Sequence, residues 1–315
     1  MFEMEQEIQI PFSIYIIMKT LTKKILENTL SGTCLYPKYP NGDLTESHPN
    51  YPFVDSSITD EQFKGEAERF NPLKEFWEVL DYNDMDNLKN KSKIFVMHPF
   101  QEKIINPNQL AIPLETLMYV NHKATISQLN NNTDKPLWQY STDNSGIESF
   151  IQELTEQTQS KDFVLKTPFS AAGDGVFIYN KNKCHKTSVE KISQLINLSK
   201  SRGNNEYLIQ EFVAGKDLSL QGFISKSGQL HYVGSGTQTI GEFGEYDGLE
   251  VSKTLPSKAY TDLLQNVSNH VAPKGFYGFF GLDIKETQSG NLHIIDPNFR
   301  PTDGTPKYLK QLGII

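Results

Sequence analysis

The chain has 315 residues, is 37% hydrophobic and 22% charged, and so has the composition of a globular protein with a real core and length for roughly two or three domains. Its net charge of -8 excludes non-specific binding to DNA, RNA or an anionic membrane, although a local basic pocket can still hold a small anion. Two distant cysteines, Cys34 and Cys184, exclude a disulfide scaffold, and seven histidines without an HxxxH pair carry no zinc-enzyme signature.

In chain order, the apolar run 10–18 is too short to span a bilayer. It follows Glu3, Glu5 and Glu7, where a signal peptide would be basic. A buried strand or a docked extension is expected there, in a cytoplasmic chain that does not enter a membrane. Residues 32–60 have loop chemistry, and 59–82 carry helical spacing broken or kinked at Pro72. A short strand is predicted at 93–97, and Leu110–Val120 leads into Asn121–Thr125, which is predicted to open a helix. Ile147, Phe150, Ile151 and Leu154 share one helical face. Strands follow at 163–166 and 176–179. Then Thr187–Glu190 forms a capping box for a helix that stops at Gly203. Residues 207–213 read as a strand, and 218–224 pairs with 230–233 through a turn at 226–228. Residues 234–250 are glycine-rich and read as irregular. An amphipathic helix is predicted over 256–271, with Tyr260, Leu263, Leu264 and Val267 on its apolar face. The class is α+β with much antiparallel sheet.

The C-terminal segment 279–300 reads as a β-hairpin turning at Ser289-Gly290. A loop centred there sets Asp283 opposite Asp296 and Gly281 opposite Asn298, with Asp283, Asp296 and Asn298 on one face. Opposed carboxylates about 5 Å apart repel, and a divalent cation removes that penalty. An oxygen-only set suits Mg²⁺ or Mn²⁺ and leaves positions for phosphate oxygens. Arg300 lies beside this face, suitably charged to meet a transferring phosphoryl group. The alternative, a solvent-facing hairpin with ordinary surface acids, is disfavoured by the apolar flanks Phe279, Phe280, Leu282, Ile284, Ile294 and Ile295.

Upstream, Lys166 ends a strand and precedes a small-residue loop that includes Ser170, Gly173 and Gly175. Small residues allow backbone N–H groups close to phosphate oxygens, although a plain hairpin turn has the same look. The loop is not a Walker A motif. Residues 207–217 run from a strand into a turn. Glu211, Phe212 and Val213 offer an edge for adenine and Asp217 a carboxylate for ribose, or else this is simply a core strand with polar ends.

Taken together and in this order, the Asn121-His-Lys123 lysine, Lys166 with its loop, IQEFVAGKD, GLDI and IIDPNFR resemble the ATP-grasp superfamily over about residues 115 to 305. The resemblance implies two α+β lobes clasping ATP after an N-terminal α/β domain, with expected boundaries at 1–115, 116–212 and 213–315. It implies Lys123 and Lys166 on the α- and β-phosphates, a mobile loop over 170–175, adenine at 210–213, ribose at Asp217, and one or two Mg²⁺ or Mn²⁺ ions at Asp283, Asp296 and Asn298. Asp217 and Asp296 are shorter than the glutamates more frequent at these places. Lys166 and Arg300 are the expected catalytic cations. The implied reaction is ADP-forming: a small-molecule carboxylate becomes an acylphosphate and an amine, a thiol or another nucleophile displaces phosphate, with amino-acid or peptide-like substrates expected. The alternative is a non-catalytic nucleotide-binding or regulatory protein on the same scaffold. A homodimer is compatible with either. The 234–250 segment is read as a substrate lid carrying Gln238, Glu242 and Tyr246, or as a plain surface loop. His231 is a sheet residue or a proton carrier, and 302–305 is a candidate contact for the carboxylate substrate.

Overall fold

The computed structural model describes residues 19–36, 68–80, 88–97, 106–125, 129, 137–141, 149, 162–169, 175–179, 190, 192–193, 206–241, 246–254 and 256–315. The apolar run 10–18, the capping box at 187–189 and most of the helix expected at 146–158 lie outside these residues. Strand β1 (Lys19–Thr20) and helix α1 (Lys23–Leu30) come first. Thr22 caps α1 through its side-chain oxygen, and Leu26, Thr29 and Leu30 form the buried face. Three short parallel strands follow, β2 (Cys34–Tyr36), β3 (Glu78–Val79) and β4 (Ile94–Val96), in the order β3-β2-β4. This is the α/β character expected near the N-terminus. Pro72 kinks no helix among the described residues; it sits in the first turn of a short 3-10 helix, Asn71–Glu75, where its missing N–H costs nothing.

The helix expected to open at Asn121 instead ends there. It is α2 (Leu114–Asn121), and Lys123–Thr125 is a single 3-10 turn beyond it. Next come β5 (Leu137–Ser141), β6 (Phe163–Lys166), β7 (Val176–Tyr179) and β8 (Glu206–Glu211), an antiparallel sheet in the order β5-β8-β6-β7.

The third sheet contains β9 (Lys216–Ile224), β10 (Leu230–Ile240), β11 (Tyr246–Val251), β12 (Gly278–Glu286) and β13 (Leu292–Asn298). Its order is β1-β10-β9-β12-β13, with β11 on the far end of β10. Helix α3 (Lys258–Val271), capped by Ser257, contributes Leu263, Leu264, Val267 and Val271 to the core, and α4 (Gly304–Gln311) follows β13. The first parallel sheet shares this core through a run of aromatic contacts. Trp77 meets Phe95 edge-on at 5.1 Å and Phe279 at 6.3 Å, and Phe279 meets Phe223 at 4.8 Å.

The segment 234–250, expected to be irregular, is mostly sheet: β10 continues to Ile240 and pairs with β11. The glycines signalled a loop because they weaken strands, but here they admit neighbours. A Cβ at Gly234 would lie 2.1 Å from the Tyr308 ring, and one at Gly236 would lie 2.5 Å from the Glu250 carbonyl oxygen. Residues 242–245, Glu242 among them, lie outside the described residues.

Candidate active site

The β12–β13 hairpin has the register expected at its business end. Asp283 pairs with Asp296 and Gly281 with Asn298. Nearer the turn the pairing slips by one, with Ile284 opposite Ile294. Ile295 is the extra residue of a β-bulge, and a bulge leaves a residue out of the ladder. The Ile295 carbonyl is used elsewhere: it accepts from the Lys166 ammonium at 2.5 Å. The bulge thus keeps the two aspartates opposed and presents an oxygen to a lysine of the preceding sheet.

Lys166 ends β6 and also donates to the Gln210 side-chain oxygen at 2.8 Å. The β6–β8 register makes Lys166 and Gln210 diagonal neighbours on one face. Burial lowers the Lys166 ammonium to about 8; Lys123 pushes the same way, while Asp296 and Asp283 oppose it. Lys123, which is 2% exposed, donates to Asp296 Oδ1 at 2.5 Å. Its backbone N–H is tied to the Pro168 carbonyl, and Asn121 accepts the Phe299 N–H, so the turn after α2 is bonded to the segment that follows β6 and to the one that follows β13.

Asp283 accepts from Gln238 at 2.7 Å and from the Asn298 amide at 3.1 Å, and Arg300 Nη1 donates to Asn298 Oδ1 at 2.7 Å. Burial, then Asp296, raises the Asp283 carboxyl to about 6, against the pull of Gln238, Lys123 and Arg300. Arg300 Nε is buried with no hydrogen-bond partner among the described residues, and a buried orphan donor of this kind is what an incoming oxyanion satisfies. Gly281 leaves the space its absent Cβ would take from Thr302, whose methyl lies 3.0 Å away, and Thr302 accepts from Gln221 at 2.7 Å.

The donor chemistry fits a hard divalent cation: two opposed carboxylates and an asparagine amide oxygen. No group of three or more His, Cys, Asp or Glu among the described residues could hold a metal on its own.

The other expected site residues divide. Ser170 and Gly173 lie outside the described residues, while the Gly175 carbonyl accepts the Thr167 N–H and closes the base of the loop. The Phe212 N–H donates to the Asp162 carbonyl, and Val213 is buried at the end of the same segment. Glu211, the last residue of β8, pairs in register with Phe163. Asp217 is held by Lys285 at 2.6 Å, its register partner on β12, and the Lys285 ammonium lies 5.9 Å from the Phe212 ring centre. Lys285 was missed from sequence. The signal was there, since it lies two residues after Asp283 and so on the same face. Gln238, read from sequence as a candidate acceptor contact, donates to Asp283. His231 is a buried sheet residue opposite Phe223.

A family model described as L-aspartate–L-methionine ligase, ATP grasp, matches residues 148–298. Similar solved structures include a D-cycloserine synthetase, at 12% identity and a TM-score of 0.57, the match covering 89% of this chain and 98% of that one. A D-alanine–D-alanine ligase from Bacillus anthracis aligns at 11% identity and a TM-score of 0.55, covering 90% and 92%. An L-amino acid ligase from Bacillus licheniformis aligns at 16% identity and a TM-score of 0.50 over 71% of this chain, which spans only 55% of that protein. These likenesses show the α+β fold, and the segment similar to the ATP-grasp family model, just under half of the chain, spans Lys166, Asp283 and Asp296.

Proposed function

We propose that this chain is an ATP-dependent, ADP-forming ligase that joins a carboxylate to an amine, with amino acids or short peptides as substrates. The observation that carries it is the chain of charge from Lys123 through Asp296, Asp283 and Asn298 to Arg300, whose buried Nε has no partner among the described residues. The substrate class is supported by the match to a family described as L-aspartate–L-methionine ligase.

Each ion pair in this chain is a stand-in for one that Mg·ATP would make. Lys123 exchanges Asp296 for a phosphate oxygen, and Asp296 is released to the cation. Lys166 exchanges Gln210 or the Ile295 carbonyl for the neighbouring phosphate. Asp283, Asp296 and Asn298 would hold one or two Mg²⁺ or Mn²⁺ ions, which when bound neutralise charge on the phosphates. Ser170, Gly173 and Gly175 cover the phosphates, residues 210–213 hold adenine, and Asp217 turns from Lys285 to ribose. A substrate carboxylate oxygen attacks the γ-phosphorus, and the bond to the β-phosphate oxygen breaks to release ADP. The amine, as its free base, then attacks the acyl carbon, the bond from that carbon to the phosphate oxygen breaks, and inorganic phosphate leaves with the proton the nitrogen gives up. Arg300 donates to the transferring phosphoryl group, and such chemistry requires positioning and charge neutralisation more than a protein nucleophile.

The test is incubation of the chain with Mg·ATP and pairs of L-amino acids, reading ADP, phosphate and product mass. ADP, phosphate and an amide-linked product are expected in equal amounts. Tight ATP binding without turnover for any carboxylate would favour a non-catalytic nucleotide-binding protein, and AMP as product would overturn the ligase reading.

A further inference from the structure

Beside the metal-facing hairpin lies an ion pair that the ATP chemistry does not use. Arg69, in the segment before the first 3-10 helix, donates through Nη1 to Asp303 Oδ2. The two residues are far apart in sequence, and both lie outside the matched segment 148–298. Asp303 stands at the N-cap of α4 yet its side chain makes no capping hydrogen bond, so the carboxylate is turned toward Arg69 instead of the helix it precedes. An exposed pair of this kind adds little to stability.

Both partners retain contact with solvent, at 52% and 30% side-chain exposure. Tyr246 is the large apolar side chain left exposed among the described residues, and its hydroxyl feels the charges of Asp303, Asp283 and Arg69 together. Tyr246 therefore lies near both this pair and a carboxylate of the β12–β13 hairpin. Asp303 is also only three positions beyond Arg300.

We infer that Arg69, Asp303 and Tyr246 form the subsite for the amine substrate, and that this substrate is a free α-amino acid. The inference rests on the ligase reading above. A neutral Arg–Asp pair is complementary to a zwitterion: the guanidinium takes the α-carboxylate and the aspartate takes the α-ammonium. Tyr246 covers the side chain. The amine is thereby held on the side of the site where Thr302 and Arg300 flank the metal face.

The probes are the best acceptor among the common L-amino acids and the carboxamide of that same amino acid, which keeps the ammonium and loses the negative charge. Wild type should show a KM for the amino acid about tenfold below that for the carboxamide. R69A should raise the amino-acid KM about tenfold while leaving the carboxamide and ATP values within about twofold, and R69K should restore part of the preference. D303N should weaken both probes. Parallel loss for both probes in R69A, or no change for either, overturns the subsite. If wild type turns over no amino acid, the ligase reading is what fails. Calorimetric titration of the protein with the same amino acids in Mg·ADP then decides the subsite alone: binding lost in R69A supports it, and binding unchanged or absent overturns it.

Discussion

Replacing Asp283 by asparagine should stabilise the nucleotide-free protein while abolishing its use of metal. Burial and the facing Asp296 raise the Asp283 carboxyl from 3.8 to about 6. A carboxyl raised on folding carries a penalty that is full above its folded value and vanishes below its unfolded value. At neutral pH that shift corresponds to at most about 3 kcal/mol, at ~1.4 kcal/mol per pKa unit. Asp283 is only half-buried, which screens the penalty, and the asparagine gives up the bond from the Asn298 amide, worth about 1 kcal/mol. The net gain should be about 1 kcal/mol, or a rise in Tm of roughly 1–3 °C for a chain of this size. The gain should shrink as pH is lowered from 6 toward 4. Thermal unfolding of both proteins across that range, with and without Mg·ADP, is the assay. In Mg·ADP the order should invert, because only the wild type gains the ligand. A D283N protein less stable than wild type at pH 7, or a gain that grows on acidification, would refute the reasoning.

Lys166 should make nucleotide affinity fall as pH rises through about 8, because the neutral amine no longer offers a charge to phosphate. Phosphate binding favours the charged form, so titrations near pH 8 in buffers of different ionisation enthalpy should detect proton uptake. Gly234→Ala drives a Cβ into the Tyr308 ring, only 2.1 Å away, and should cost about 1–3 kcal/mol in denaturant unfolding. Gly281→Ala meets the Thr302 methyl at 3.0 Å and should cost about 1 kcal/mol while displacing Thr302 from Gln221; turnover should fall more than stability.

The hairpin was legible because period-two alternation and a Ser-Gly turn determine which residues face each other. The bulge at Ile295 was not, since the residues next to the turn pair about Ser289 rather than about the Ser289-Gly290 bond, and the extra residue cancels that offset by the time Asp283 meets Asp296. Its consequence, a carbonyl presented to Lys166, depends on a distant sheet. The 234–250 reading failed for a related reason. Glycine content reports where backbone is unhindered, and only the tertiary neighbour tells whether the space serves motion or the Tyr308 ring. The helix ending at Asn121 was placed one element late because Asn121 looked like a start signal; its side chain accepts the Phe299 N–H instead. Pairing of β1 with β10 joins residues too far apart in sequence for any local pattern to announce.

The most direct test of the proposed chemistry follows the oxygen atoms. With a carboxylate substrate labelled with heavy oxygen, an acylphosphate route carries one carboxylate oxygen into the released phosphate, so mass analysis should find phosphate singly labelled in proportion to product. Unlabelled phosphate formed alongside product would contradict attack of the carboxylate on the γ-phosphorus, and with it the role given to the residues between Lys123 and Arg300.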